Sequence, residues 1–301
     1  MSLLVTGSIA IDTLETPLGR AENVLGGSAI HFALAASQFA PVRIVAAVGE
    51  DFDHSLLCCF DGKHVDTLGI EVRKGSKTFR WHGRYAGAMN EAETVAVALN
   101  VLAEKGAPIP PAFRDSRFVF LANTHPALQR ELAAQLPEAE LIVCDTMNLW
   151  IEHEPVELRR TIAAVHGLVL NENEARLLSG KSNLVTAGRD LLKLGPRFVI
   201  IKKGEHGSML ISNEDLCVLP AFPTEKVVDP TGCGDSFAGA MMGYLAAQGR
   251  WDPPALRAAI ARGTVVASFV IESFSVDSSA KLTPPDIDRR LAELARLSHF
   301  E

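Results

Sequence analysis

The sequence predicts an α/β protein built on a mainly parallel sheet flanked by helices, with a small second sheet beside it. Two observations predict this. Short apolar runs alternate with helix-length segments over most of the 301 residues, the signature of βα units. Between residues 78 and 102 that rhythm gives way to alternation of period two, as in strands with one covered face. The length suits one large α/β domain with a modest elaboration, and no linker, repeat or low-complexity tract divides residues 1–301.

The apolar runs place strands at 2–11, 43–48, 118–122, 141–145, 167–170, 198–202 and 208–211. Helical spacing falls at 27–39, 126–136, 157–165, 172–178 and 184–194. TFRWHGRY (78–85) and ETVAVALNVL (93–102), joined by AGAMNEA, read as an antiparallel pair. They are expected to form a lid whose strands come mainly from about 71–102. Alternation puts Phe79, Trp81, Gly83 and Tyr85 on one face of that lid, where they can cover a ligand or a partner subunit.

Composition excludes several function classes. At 48% hydrophobic and 22% charged, the chain has the makeup of a globular protein. No run reaches the roughly 18 apolar residues of a membrane span, and MSLLVTGSIAID lacks a basic region before its apolar stretch, so a cytoplasmic location is expected. A net charge of −7 without clustered Lys and Arg argues against a nucleic-acid surface. Cys58, Cys59, Cys144, Cys217 and Cys233 form neither a CxxC pair nor a zinc-like cluster, which argues against a disulfide framework or structural metal.

The chemistry concentrates in DPTGCGDSF (229–237). Residues 226–228 read as a short extended run, Pro230 fixes the turn, and 236–248 has helical composition. Gly232 and Gly234 allow positive φ and close approach of a ligand. A glycine turn feeding a helix presents free amides and the positive end of the helix dipole, which together make an anion site. Asp235 stands at its mouth, held ionised by the dipole and able to accept a proton from a hydroxyl, or serving only as a helix cap. Two familiar nucleotide motifs fail. A dinucleotide GxGxxG would need glycine at Phe237, and the P-loop near-match ARLLSGKS (175–182) begins with Ala175.

DPTGCGDSFAGA resembles the C-terminal signature, D-T-x-G-A-G-D, of the ribokinase or PfkB family of carbohydrate and nucleoside kinases. GSIAIDTL (7–14), GGSAIHFALAAS (26–37), NENE (171–174) and IKKGEHG (201–207) are similar to the family's other motifs in order and spacing, so the resemblance covers nearly the whole chain. It implies a ribokinase-like doubly wound fold and an enzyme that uses ATP and Mg²⁺ to phosphorylate a hydroxyl of a small sugar. A nucleoside kinase of the same fold is the alternative, and a non-catalytic sugar- or nucleoside-binding regulator is the reading from another class.

Carried over by residue, the resemblance makes Asp235 the base and the amides of Gly232, Cys233 and Gly234 the anion hole. Asn171 and Glu174 would organise Mg²⁺ and its waters, although as a helix start they also make a capping box that needs no metal. Lys202, Gly204, Gly207 and Thr231 would contact the nucleotide, with Lys203 an equally placed rival to Lys202. Asp12 would accept hydrogen bonds from two sugar hydroxyls, with Gly26 and Gly27 letting ligand oxygens approach the backbone. Asp229 and Thr231 would border a monovalent-cation site for K⁺. A homodimer through the lid's exposed face is implied as well.

Three positions depart from the family pattern. His31 stands where an asparagine commonly binds substrate. Cys233 replaces alanine in the anion-hole loop, a small side chain that leaves a hole made by backbone intact, and at a helix N-terminus its thiol could also have a lowered pKa. In DTMNLW (145–150), Asp145 and Asn148 keep part of a polar run that steers the phosphate-accepting site, and Trp150 stacks on a base or packs.

Overall fold

All four residues of Leu3–Thr6 (β1) are buried, as expected of a strand covered by helices on both faces. The computed structural model describes residues 2–299. After β1 come β2 (Ala10–Thr16), β3 (Gly19–Gly26), helix α1 (Ser28–Ala36), β4 (Val42–Gly49), β5 (Val65–Arg73), β6 (Phe79–Tyr85) and β7 (Ala92–Ala98). The chain continues through β8 (Phe118–Leu121), α2 (Pro126–Ala133), β9 (Leu141–Asp145), α3 (Asn148–His153), α4 (Pro155–Ala163), β10 (Gly167–Asn171), α5 (Glu172–Ser179) and α6 (Leu184–Leu192). It ends with β11 (Phe198–Lys202), β12 (Ser208–Ser212), β13 (Leu216–Leu219), α7 (Cys233–Gln248), α8 (Pro253–Val270), α9 (Asp277–Lys281) and α10 (Pro284–Leu297).

The large sheet has nine strands in the order β13-β12-β11-β10-β9-β8-β1-β4-β5. From β11 to β5 every neighbouring pair is parallel, while β12 and β13 extend the sheet antiparallel. Side chains alternate between two cores. Leu3, Val5, Phe118, Phe120 and Ile200 face α1, α7 and α8; Leu4, Val119, Leu121, Val199 and Ile201 face α2, α4, α5 and α6. This is the doubly wound arrangement expected. Strand order reverses between β1 and β8, and in such sheets ligands bind beyond the carboxyl ends of the strands, near the reversal.

Three sequence-based expectations change. The run 2–11 is two strands, because the chain leaves the large sheet at Gly7, where a β-carbon would come 2.6 Å from Ser28 Oγ and 2.9 Å from the Ala122 β-carbon. Ser8 and Ser28 tie this exit to α1, each amide donating to the other's hydroxyl at 3.1 Å. β2 then enters a four-stranded sheet ordered β3-β2-β6-β7, in which β2 and β6 are parallel. Half of the lid therefore comes from 10–26, and 71–73 belong to β5 of the large sheet. The run 93–102 ends as a strand at Ala98, since Asn100 takes φ 49° and begins a 3-10 turn that buries Val101. Residues 226–228 form no strand; Val228 and Asp229 donate their amides to the Ile271 carbonyl at the end of α8 instead.

Candidate active site

Parallel strands end side by side, so Asp145 of β9, Asn171 of β10 and Lys202 of β11 come to one edge, with Asn171 and Lys202 in direct register. Facing them is the N-terminus of α7, capped by Gly232 at φ 76°. A β-carbon on Gly234 would lie 2.7 Å from Lys202 Nζ, so Lys202, and not Lys203, reaches the glycine loop. The Cys233 amide is engaged by the Pro230 carbonyl at 3.2 Å. Of the three amides expected to bind an anion, those of Gly232 and Gly234 have no acceptor among the described residues, with Lys202 beside them.

Asp235 lies in the first turn of α7. Burial raises its pKa, opposed by Lys202. Removal from water thus works against the ionisation expected of a carboxylate at a helix N-terminus. Burial also raises Glu174, with Lys202 and the Asn171 amide opposing, and raises Asp145 well above its ordinary value, with Asp235 adding to the effect. Three carboxylates thus share the field of one lysine.

Asn171 and Glu174 do form the capping box, with Asn171 Oδ1 accepting from the Glu174 amide at 2.8 Å and Glu174 Oε2 from the Asn171 amide at 2.7 Å. The capping and metal readings are compatible, because the box uses only one oxygen of Glu174. Asp145 Oδ1 is buried without a hydrogen-bond partner. Among the described residues no three acidic or histidine side chains converge closely enough to ligate one ion directly. An under-compensated acidic cluster that does not converge fits Mg²⁺, which keeps much of its water shell.

Asp12 lies within β2, 4% exposed, with Oδ1 unpartnered. Burial, with Asp229 and Asp235 adding to it, pushes its pKa up to about 7. The glycine pair makes room for neighbouring protein atoms. A β-carbon on Gly26 would collide with the Asp12 carboxylate, and one on Gly27, at φ 98°, would come 2.5 Å from the Ser8 carbonyl oxygen. His31 on α1 is 1% exposed and both ring nitrogens lack partners; burial lowers its pKa to about 4, so the ring is neutral. Its imidazole lies against Gly232. Asn148 is brought to none of these: it is exposed at the start of α3. Trp150 packs, its ring edge-on to His125 at 5.2 Å and its Nε1 donating to Asn123 Oδ1 at 2.7 Å.

Asp229 is buried, with Oδ1 accepting from the Thr231 amide at 2.9 Å and Oδ2 from the Ser275 amide at 3.2 Å. Thr231 Oγ1 donates to the Tyr85 hydroxyl at 3.2 Å, so a lid residue touches the glycine loop. Trp81 instead stays within the lid, lying over Gly83 and donating to Thr94 Oγ1 at 3.1 Å. Gly204 and Gly207 flank a 3-10 turn after β11; Gly207, at φ 85°, has no room for a side chain because of the Leu219 carbonyl. The Cys233 thiol is raised by burial, the reverse of the lowering expected at a helix N-terminus. Sequence reasoning gave Asp145 too small a part and did not connect Tyr85 to the loop. Its position at the end of an alternating strand was the available signal.

A family model described as "pfkB family carbohydrate kinase" matches residues 2–282. The chain is 30% identical over 261 residues to a cytidine kinase of Thermococcus kodakarensis, covering 84% of this chain and 90% of that protein. It is 26% identical over 301 residues to a nucleoside kinase of Methanothermobacter thermautotrophicus, covering 93% and 88% respectively. The fold is similar to that of aminoimidazole riboside kinase from Salmonella enterica, solved with aminoimidazole riboside and an ATP analogue, at a TM-score of 0.78, with 19% identity and coverage of 97% and 100%.

Proposed function

Since the chain belongs to the pfkB family of carbohydrate kinases, we propose that it transfers the γ-phosphoryl group of ATP to a hydroxyl on the ribose of a nucleoside. As a family member it is an ATP-dependent phosphotransferase. The observation that carries the reading is that Asp235 lies within electrostatic reach both of Lys202, which stands beside the open amides, and of buried Asp12, which has a free carboxylate oxygen.

In this reading Asp12 holds two neighbouring hydroxyls of the sugar. Asp235, its proton affinity raised by burial, takes the proton of the attacking hydroxyl as that oxygen bonds to the γ-phosphorus. The bond from the γ-phosphorus to the β–γ bridging oxygen breaks, and ADP leaves. Lys202 and the amides of Gly232 and Gly234 stabilise the charge on the transferring group. Glu174, Asn171 and Asp145 would hold Mg²⁺ through water, and that ion supplies neutralising charge on the ATP phosphates. Gly204 and Gly207 shape the nucleotide turn, and Asp229 with Thr231 forms the border of a monovalent-cation site.

The names of the relatives support a nucleoside, and the family description supports a free sugar as the second reading. Measuring ADP release against a panel of nucleosides, pentoses and hexoses decides between them. Turnover of free sugars alone would overturn the nucleoside assignment, and tight binding without turnover by any compound would favour a regulator.

A further inference from the structure

The β6–β7 hairpin is fastened to the main body at three places. Tyr85, the last residue of β6, accepts a hydrogen bond from Thr231 across 146 residues of sequence. Beyond it, Asn90 Nδ2 donates to Glu205 Oε1 at 3.2 Å on the turn after β11, and Asn173 Nδ2 donates to Glu91 Oε1. The last two contacts are exposed and belong to flexible polar side chains, so each contributes little. The Tyr85 contact differs in kind. Its ring is half-buried, and the charges that bear on its hydroxyl are those of Asp229 and Asp235 of the glycine loop.

Thr231 is also fixed from below, since its amide donates to Asp229, whose other oxygen accepts from Ser275. Its hydroxyl is the one group in this chain of bonds that answers to the lid. Gly232, which follows immediately, holds a left-handed conformation and contributes an open amide. Whatever restrains Thr231 therefore restrains the amide that faces the transferring phosphoryl group.

We propose that Tyr85 is a positioning residue that couples lid closure to the geometry of the Thr231–Gly234 loop. With the lid down, the Tyr85 hydroxyl holds Thr231 and sets the Gly232 amide; with the lid up, the loop loses that restraint. Chemistry is thereby reserved for the closed state, in which water is also excluded. This rests on the kinase chemistry proposed above but not on which acceptor is used.

Tyr85→Phe keeps the ring and removes only the hydroxyl. It is expected to lower kcat about tenfold, equivalent to ~1.4 kcal/mol, with acceptor KM within about twofold. ADP formed per phosphorylated acceptor should rise. Thr231→Val should lose at least as much as Tyr85→Phe, Thr231→Ser, which keeps the hydroxyl, should lose less than Thr231→Val, and Tyr85→Phe/Thr231→Val should be no worse than Thr231→Val alone. Hydrogen exchange of the ligand-free protein gives an arm independent of turnover, and Tyr85→Phe should speed exchange of the hydrogen-bonded loop amides of Thr231 and Cys233. Fully additive rate losses, an effect confined to KM, or unchanged exchange in that loop would overturn the proposal. An inactive wild type with faster loop exchange in Tyr85→Phe would reject the acceptor panel while sustaining the coupling.

Discussion

The imidazole of His31 lies directly against the α-carbon of Gly232, so a β-carbon at position 232 would collide with the ring. A residue of α1 thus supports the glycine loop proposed to handle phosphate. Gly232→Ala should lower kcat on the order of a hundredfold, because it displaces that loop by a fraction of an ångström and strains a backbone at φ 76°. Adding His31→Ala relieves the collision but not the strain, so the double variant should recover part of the lost rate. Equal rates for Gly232→Ala and the double variant would show that the ring does not set the loop.

Asp235→Asn removes the proton acceptor while keeping shape. Its kcat should fall roughly a thousandfold, within the usual range for a general base, with ATP affinity measured by calorimetry nearly unchanged. Turnover at the wild-type rate would refute the assignment of the base.

Asp12 offers a pH signature. Its folded-state pKa, about 7, lies above the unfolded value of 3.8, so the native protein binds a proton that the unfolded chain has already released. Stability from this group is therefore complete below pH 4 and is lost as pH rises towards 7. Asp12→Asn should raise Tm at pH 8 by a few degrees and leave it nearly unchanged at pH 4. Catalysis moves the other way: wild-type acceptor KM should climb as pH falls below about 7, because a protonated Asp12 no longer accepts from two hydroxyls. A KM flat from pH 6 to 8 would argue against Asp12 as the sugar ligand.

The homodimer expected through the lid has a surface to use. β7 is the edge strand of the small sheet and exposed throughout, with Val95 at 40% and Val97 at 54%. Such an edge invites pairing with a second copy of the chain. Sedimentation should show a dimer that Val95→Lys/Val97→Lys converts to a monomer. A wild type that sediments as a monomer at micromolar concentration would remove this proposal.

Much of the frame was legible because it depends on local pattern. The apolar runs of β8, β9, β10 and β11 were placed to within a residue or so, since strands buried on both faces read as continuous hydrophobic stretches. The split at Gly7 was not legible: residues 2–11 are uncharged and largely apolar, and the close contacts with Ser28 and Ala122 at the point of exit are a property of the fold. The site divides similarly. Lys202 and Lys203 are equivalent in sequence, and strand register decides between them. The glycine pair was legible as a need for space, but what fills the space, the Asp12 carboxylate and the Ser8 backbone, is a property of the fold. The upward shifts at Asp235 and Cys233 follow from burial, which no motif encodes.

The small sheet takes β2 and β3 from one stretch of chain and β6 and β7 from another, with the parallel β2–β6 pair as its seam. It is consequently not a cassette. Transplanting 79–98 alone from another kinase would set a foreign strand against a resident one along that seam, and the new β6 would have to match β2 in register. Exchange of lids between relatives, in the laboratory or by recombination, therefore requires two separated segments to travel together, and chimaeras that move only one should misfold at the seam before they show any new specificity.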